Sequence, residues 1–139
     1  MKTRNGFVSN SSSSSFVIIA EGGHKELTPP WAMGQVLRLG DTVGTTEFGW
    51  GPDTVRGVGS RLNLAWILSE EDGDRRHELL RAIMDEYPTV QDVEFHSTYA
   101  YVDHQSLDHM SDEVFRSDDS LRSFLFYRDS EIHLDNDNH

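Results

Sequence analysis

Residues 74–102, "DRRHELLRAIMDEYPTVQDVEFHSTYAYV", change from a helical to a strand-like hydrophobic period, and this change decides the fold class. The first half predicts a helix that begins after an N-cap at Asp74 and is stopped by Pro88. Its apolar side chains recur at helical spacing and are Leu79, Leu80, Ile83, Met84 and Tyr87. In "DVEFHSTYAYV" (residues 92–102), bulky apolar residues alternate with polar ones, which predicts a single strand with one buried face.

The sequence on either side supplies further predicted elements. "SRLNLAWILSEE" (residues 60–71) predicts a helix capped by Ser60. "DDSLRSFLFYR" (residues 118–128) predicts a helix that starts at an acidic capping pair and places Leu121, Phe124 and Leu125 on one face. "SFVIIA" (residues 15–20) predicts a strand buried on both faces, and "SEIHL" (residues 130–134) a final short strand.

Two stretches are less regular, and they limit how much of the topology can be predicted. "AMGQVLRLG" (residues 32–40) suits a short helix or a strand, and "DTVGTTEFGWGPDT" (residues 41–54) suggests a strand that ends in a tight turn. The order of elements does not alternate strictly enough for a doubly wound parallel sheet. We therefore expect one α+β domain over residues 1–139, with an antiparallel or mixed sheet of about four strands and helices packed on one face. Residues 1–10 are a candidate flexible segment and residues 135–139 a tail.

The net charge of −12 is concentrated in the C-terminal part of the chain. Residues 1–61 carry six Lys and Arg against five Asp and Glu, whereas residues 62–139 carry six Arg against nineteen Asp and Glu. Such a surface repels phosphates, which disfavours direct nucleic-acid binding, and no apolar run reaches the ~20 residues of a membrane span. We expect a protein partner with a basic surface; acidity that serves only solubility is the simpler alternative.

The chain contains no cysteine. This excludes disulfides, Cys-ligated zinc and thiol catalysis, and it suits a reducing compartment, so we expect a cytoplasmic protein.

The N-terminal sequence "MKTRNGFVSNSSSSSFVI" (residues 1–18) combines a basic start, Gly-Phe-Val, and Ser-Asn followed by five serines and a phenylalanine. It resembles the opening of a group of small, mostly uncharacterised bacteriophage and bacterial proteins. A subset of that group also resembles this chain in "FGWGPD", "LNLAWIL", "VDHQS", "FLF" and the terminal "NDN". The resemblance implies a phage or mobile-element setting, and hence the host cytoplasm, but no activity.

The serine run from Ser11 to Ser15 would be a linker on composition alone. Only ten residues precede it, however, and linkers join domains. Serine hydroxyls both donate and accept hydrogen bonds, and asparagine tolerates turn conformations. We therefore interpret the run as a recognition or packing element that is ordered from Ser13 onward, with Asn10 and Ser11 as candidate binding residues.

The densest polar cluster is "YVDHQSLDHMSDE" (residues 101–113), in which Asp103-His104 and Asp108-His109 form two carboxylate–imidazole pairs. Such ligands suit Mn²⁺, Fe²⁺ or Zn²⁺, although the spacing matches no metal motif. The simpler interpretation is a polar loop in which Asp103 caps a turn. The candidate binding residues here and in the tail are Asp103, His104, Gln105, Ser106, Asp112, Glu113, Asn136, Asp137 and Asn138.

Two functions remain open at this point. The first is a non-enzymatic phage or mobile-element accessory protein that binds and modulates a host macromolecule through an acidic surface and needs no cofactor. The second is a small metal-assisted hydrolase or nucleotide-handling enzyme that uses the Asp103-His104 loop and the C-terminal tail, with a divalent metal. The sequence does not decide whether the protein is an enzyme, and it predicts no oligomeric state.

Overall fold

The computed structural model describes residues 15–48 and 51–136, and within these ranges the chain forms four helices and seven strands. The strands are β1 (Phe16–Ile18), β2 (Val36–Gly40), β3 (Glu47–Phe48), β4 (Gly51–Val55), β5 (Asp92–His96), β6 (Tyr101–Val102) and β7 (Glu131–Asn136). The helices are α1 (Val58–Leu68), α2 (Gly73–Glu86), α3 (His104–Val114) and α4 (Asp118–Phe126), and a 3₁₀ turn covers Pro30–Ala32. The predicted α+β class is confirmed.

The strands are divided among three small sheets with mixed directions. β7 lies between β1 and β4 and is antiparallel to both. β2 pairs with β5, and β3 pairs with β6, in both cases in parallel. The ambiguous stretch at residues 32–40 is therefore a strand, and the weak strand predicted at residues 41–54 is divided into β3 and β4.

The strand predicted over residues 92–102 is wrong in one respect, because it is interrupted between His96 and Tyr101. The carboxylate of Asp41, which directly follows the neighbouring strand β2, causes the interruption. Asp41 Oδ1 accepts hydrogen bonds from Ser97 Oγ (2.9 Å) and Thr46 Oγ1 (3.0 Å), and Asp41 Oδ2 accepts one from the Thr98 N–H (2.9 Å). The parallel pairing of β2 with β5 therefore ends here, and the same two segments pair again in parallel as β3 and β6.

Helix α1 is buried along most of its length and forms the centre of the core. It contacts β2, β6 and all three other helices. Close approach of backbone explains Gly59, since a Cβ at that position would overlap the Val43 carbonyl. The core is completed by the apolar faces of the other elements, including Leu37, Leu39, Phe48, Leu79, Ile83, Tyr87, Met110, Leu121, Phe124, Leu125 and Ile132.

Several local predictions are corrected by the structure. The N-caps are Gly57, Asp72 and Ser117 rather than Ser60, Asp74 and the acidic pair at residues 118–119. Asp72 and Ser117 accept hydrogen bonds from the backbone N–H groups of the following turn, which is why they cap and the later residues do not.

Two predicted burial patterns also change. Strand β1 is an edge strand, and Ile18 is 45% exposed, so "SFVIIA" is not buried on both faces. In α2, Leu79, Ile83 and Tyr87 are buried as the stripe predicts, but Leu80 is only partly buried.

Candidate functional site

The predicted polar loop at residues 103–113 is a helix, with Asp103 at the N-cap position of α3. The Asp103 side chain makes no capping bond. Its Oδ2 instead accepts a hydrogen bond from Ser106 Oγ (3.2 Å), and Ser106 Oγ accepts one from the Ser15 N–H (2.8 Å). Asp103, Ser106 and Ser15 are all buried. The structure thus joins the last serine of the N-terminal run to the predicted polar cluster.

This contact supports the packing interpretation of the serine run at Ser15. Asn10, Ser11, Ser13 and Ser14 lie outside the described residues. The same is true of Asp137 and Asn138, and of the side chains of His104, Gln105 and Asn136. The backbone of Asn136 pairs with Gly51, while the Asp103 N–H donates to the Phe48 carbonyl. The backbone of Asn136 in the tail therefore lies beside the start of β4, and the start of α3 lies beside the end of β3.

Replacing Ser106 with alanine should destabilise the fold, because it removes the acceptor of a buried backbone N–H and the donor to a buried carboxylate. We expect a loss of about 1–3 kcal/mol in the free energy of unfolding. Chemical denaturation of Ser106→Ala and of the exposed control Ser117→Thr, which keeps its capping hydroxyl, would measure this. Faster amide exchange confined to Ser15 and its neighbours should accompany the loss; unchanged exchange there would contradict the assignment.

A metal centre is not assembled in the part of the chain that the structure describes. Residues 15–48 and 51–136 contain no group of three or more His, Asp or Glu side chains arranged to hold a metal ion. The proposed ligands at His104 and in the tail lie outside the described side chains, so the metal hypothesis stays a prediction.

A polar cleft of about 620 Å³ lies between β4 and the loop that joins β2 to β3. Two of its side chains bind neighbouring backbone: Ser60 Oγ accepts a hydrogen bond from the Thr45 N–H (3.0 Å), and Asp53 Oδ1 accepts one from the Thr54 N–H (2.8 Å). On the edge strand β4, Pro52 has no N–H, and the Thr54 N–H already donates to the Asp53 side chain. Both features protect a sheet edge from pairing with another strand. We interpret the cleft as structural.

The carboxylate of Asp41 at the rim of this cleft makes a pH-dependent contribution to stability. The hydrogen bond from the Thr98 N–H, followed by that from Ser97, lowers the pKa of Asp41 below its usual range, although partial desolvation opposes this. A carboxyl group with a depressed pKa stabilises the folded state above its unfolded pKa of about 3.9, and the contribution is lost as the pH falls through the folded value.

Asp41→Asn should therefore lower the melting temperature at pH 7, and the difference from the unmodified protein should narrow below about pH 4. Thermal melts across this range would measure the effect, with Glu47→Gln, an exposed carboxylate of the same cleft, as the control. If the difference in melting temperature does not change with pH, the charge of Asp41 does not stabilise the contact between these two segments.

An acidic surface forms where the α1–α2 loop meets the exposed side of α3. Arg75 joins the two parts, since its Nη2 lies 3.2 Å from Asp112 Oδ1 and its Nε 3.6 Å from Asp72 Oδ2. Asp108 and Asp112 are both exposed and share one face of α3 at four-residue spacing. The acidic surface consists of Glu70, Glu71, Asp72, Asp74, Asp108, Asp112 and Glu113.

Sequence reasoning identified Asp112 and Glu113 of this surface but missed the acidic residues of the loop. The available signal was "EEDGD" (residues 70–74), four carboxylates within five residues between two helices. All four are exposed. Their proximity to α3 could not be predicted, because it depends on the tertiary contact between Arg75 and Asp112.

A shallow groove of about 330 Å³ borders the acidic surface. Its walls come from the end of α1, from β6 and from α3, and its lining is mainly apolar apart from Glu70 and Glu71. The exposed ring of Tyr99 stacks on Tyr101 beside it, with ring centroids 6.2 Å apart. Apolar surface and exposed carboxylates therefore meet at this groove.

No protein family, curated protein or solved structure matches the chain significantly. The functional assignment therefore rests on the geometry described above.

Proposed function

We propose that this chain is a non-catalytic accessory protein, of phage or mobile-element origin, that binds and modulates a basic host macromolecule through its acidic surface. The observation that carries the proposal is the convergence at Arg75, which brings the acidic loop and the acidic face of α3 into one surface. A surface with a large excess of one charge raises the local concentration of an oppositely charged partner and speeds its association. Charges scattered only for solubility would not require this arrangement.

The chemistry of the surface favours a protein partner. Seven clustered carboxylates repel the phosphates of nucleic acids and of anionic lipid headgroups. None of the helices in the described part of the chain combines the length and apolarity that crossing a bilayer requires. A protein with a Lys- or Arg-rich surface in the host cytoplasm is the partner that we propose.

The alternative of a metal-assisted hydrolase gains no support from the described contacts. Asp103 is buried and hydrogen-bonded to Ser106, which in turn holds Ser15. These bonds give Asp103 a structural role. The enzymatic hypothesis would have to rest on His104 and the tail.

Affinity capture with matched charge-reversal variants tests the proposal. The bait proteins are the unmodified chain, the surface variant Asp112→Lys/Glu113→Lys, and the control Glu21→Lys/Glu47→Lys, which makes the same change of net charge at exposed positions elsewhere. We expect the unmodified protein and the control to capture a host protein that the surface variant does not. Equal capture by all three baits, or by none, would contradict the proposal.

A further inference from the structure

The groove beside the acidic surface has the dimensions and walls of a site for one long side chain. Ile67 and Val102 contribute apolar walls, and Leu107 of α3 closes one side. Its volume of about 330 Å³ is at the lower end of the roughly 300–1,000 Å³ typical of ligand pockets. The groove is therefore large enough for one long side chain presented by a protein surface.

The electrostatics of the groove favour a cation. Glu70 and Glu71 directly follow the C-terminus of α1, where helix carbonyls carry partial negative charge. Both carboxylates are exposed. Arg76 lies nearby, but its guanidinium is held 3.7 Å from the centre of the Trp66 ring, and its Nη2 donates to the Trp66 carbonyl (2.8 Å). Arg76 still attracts Glu70, but no ion pair within 4 Å forms between them in the described residues, so the groove carboxylates keep a net negative charge.

We propose that this groove binds an arginine side chain of the partner protein, an inference that rests on the proposed function and names the chemistry of its binding site. The aliphatic stem of arginine packs on the apolar walls while its guanidinium reaches the carboxylates of Glu70 and Glu71. The exposed ring of the neighbouring Tyr99 offers an aromatic face on which a planar guanidinium stacks better than an ammonium. Arginine and tyrosine are also the residues that dominate the energetics of protein interfaces.

The test uses NMR titration of the full-length protein with the peptide acetyl-Leu-Arg-Leu-amide, and with the same peptide carrying citrulline, the neutral isostere of arginine. We expect saturable chemical-shift changes at the amides of residues 67–71 and 100–107. The citrulline peptide should bind about two- to fivefold more weakly, the usual effect of losing an exposed charge pair. Equal binding of the two peptides would overturn the proposal, because the groove would then be recognising only the leucines.

Two pairs of charge reversals locate the site within the acidic surface. Glu70→Lys/Glu71→Lys should abolish the localised shifts, and Asp112→Lys/Glu113→Lys, which leaves the groove intact, should preserve them. If both variants weaken binding equally and the shifts spread over the acidic surface, the groove proposal fails while the proposed function stands. If the arginine peptide causes no shifts at all, the groove proposal fails and the capture experiment alone decides the function.

The same spectra distinguish other occupants of the groove. Nuclear Overhauser contacts from Lys2, Arg4 or Phe7 to groove residues in the free protein would identify the chain's own N-terminal segment as the occupant. Shifts at residues 100–107 that depend on protein concentration would identify a second copy. Either result would overturn the assignment to a partner.

Discussion

Arg61→Met should lower the free energy of unfolding by about 2–6 kcal/mol, because it removes a buried guanidinium that donates to two buried carbonyls and pairs with the partly exposed Glu26. Arg61 lies in α1, and its side chain is 0% exposed. Its Nε donates to the Leu125 carbonyl (3.2 Å), its Nη1 to the Ser130 carbonyl (3.1 Å), and its Nη2 to Glu26 Oε1 (2.8 Å). Methionine fills similar space but leaves both carbonyls without this donor, and each unsatisfied buried acceptor costs about 1–3 kcal/mol.

Arg56→Met provides the matched control for this experiment. Arg56 also pairs with a glutamate, since its Nε lies 2.7 Å from Glu131 Oε2, but its side chain is 64% exposed. An exposed pair contributes about 0–1 kcal/mol. Denaturant titration should therefore show a much larger loss in the free energy of unfolding for Arg61→Met than for Arg56→Met. Similar small losses of stability in the two variants would contradict the role of Arg61 in linking α1 to the end of α4 and to the loop that contains Glu26.

Leu79→Ala should cost about 2–5 kcal/mol, since it leaves a cavity in the core. Leu79 is 0% exposed and lies on the face of α2 that carries Ile83. The adjacent Leu80 is partly buried, and Leu80→Ala should cost about 1 kcal/mol, the average for a point mutation. The two variants make the same chemical change one residue apart, so they report directly on the orientation of the helix. A larger loss at Leu80 would mean that α2 is rotated from the position described.

Helices α1, α2 and α4 were predictable because their burial pattern is local, whereas α3 was predicted as a polar loop. In α4, Leu121, Phe124 and Leu125 are buried as their spacing predicts. In α2, the predicted stripe was correct at Leu79 and Ile83, whereas Leu80 and Met84 are only partly buried. N-caps were less predictable, because α2 and α4 each begin among several adjacent polar residues, and α1 begins after a glycine.

The strands depended on partners far away in the sequence. The pattern of residues 92–102 gives no sign of an interruption, since the carboxylate that holds Ser97 and Thr98 comes from Asp41, more than fifty residues earlier. Likewise, the edge position of β1 depends on its pairing with β7 at the other end of the chain. Alternation of residues indicates a strand but contains no information about where its neighbours end.

The candidate site was predictable in composition but not in arrangement. The acidic excess identified Asp112 and Glu113, and the polar cluster identified Asp103 and Ser106. The structure gives the last two a packing role, since Ser106 binds the backbone of Ser15. The groove could not be predicted at all, because its lining comes from two segments, residues 67–71 and 100–107, that only tertiary structure brings together.

The measurement that tests the central claim most directly is the rate of association with the captured partner as salt is raised. With a Debye length of about 8 Å at physiological ionic strength, steering by the acidic surface should be strongly screened. We predict an association rate about tenfold slower at physiological than at low salt. Asp112→Lys/Glu113→Lys should lower the association rate more than it raises the dissociation rate, whereas Glu21→Lys/Glu47→Lys should change both little. Association that is insensitive to salt and equal in the two variants would contradict the account.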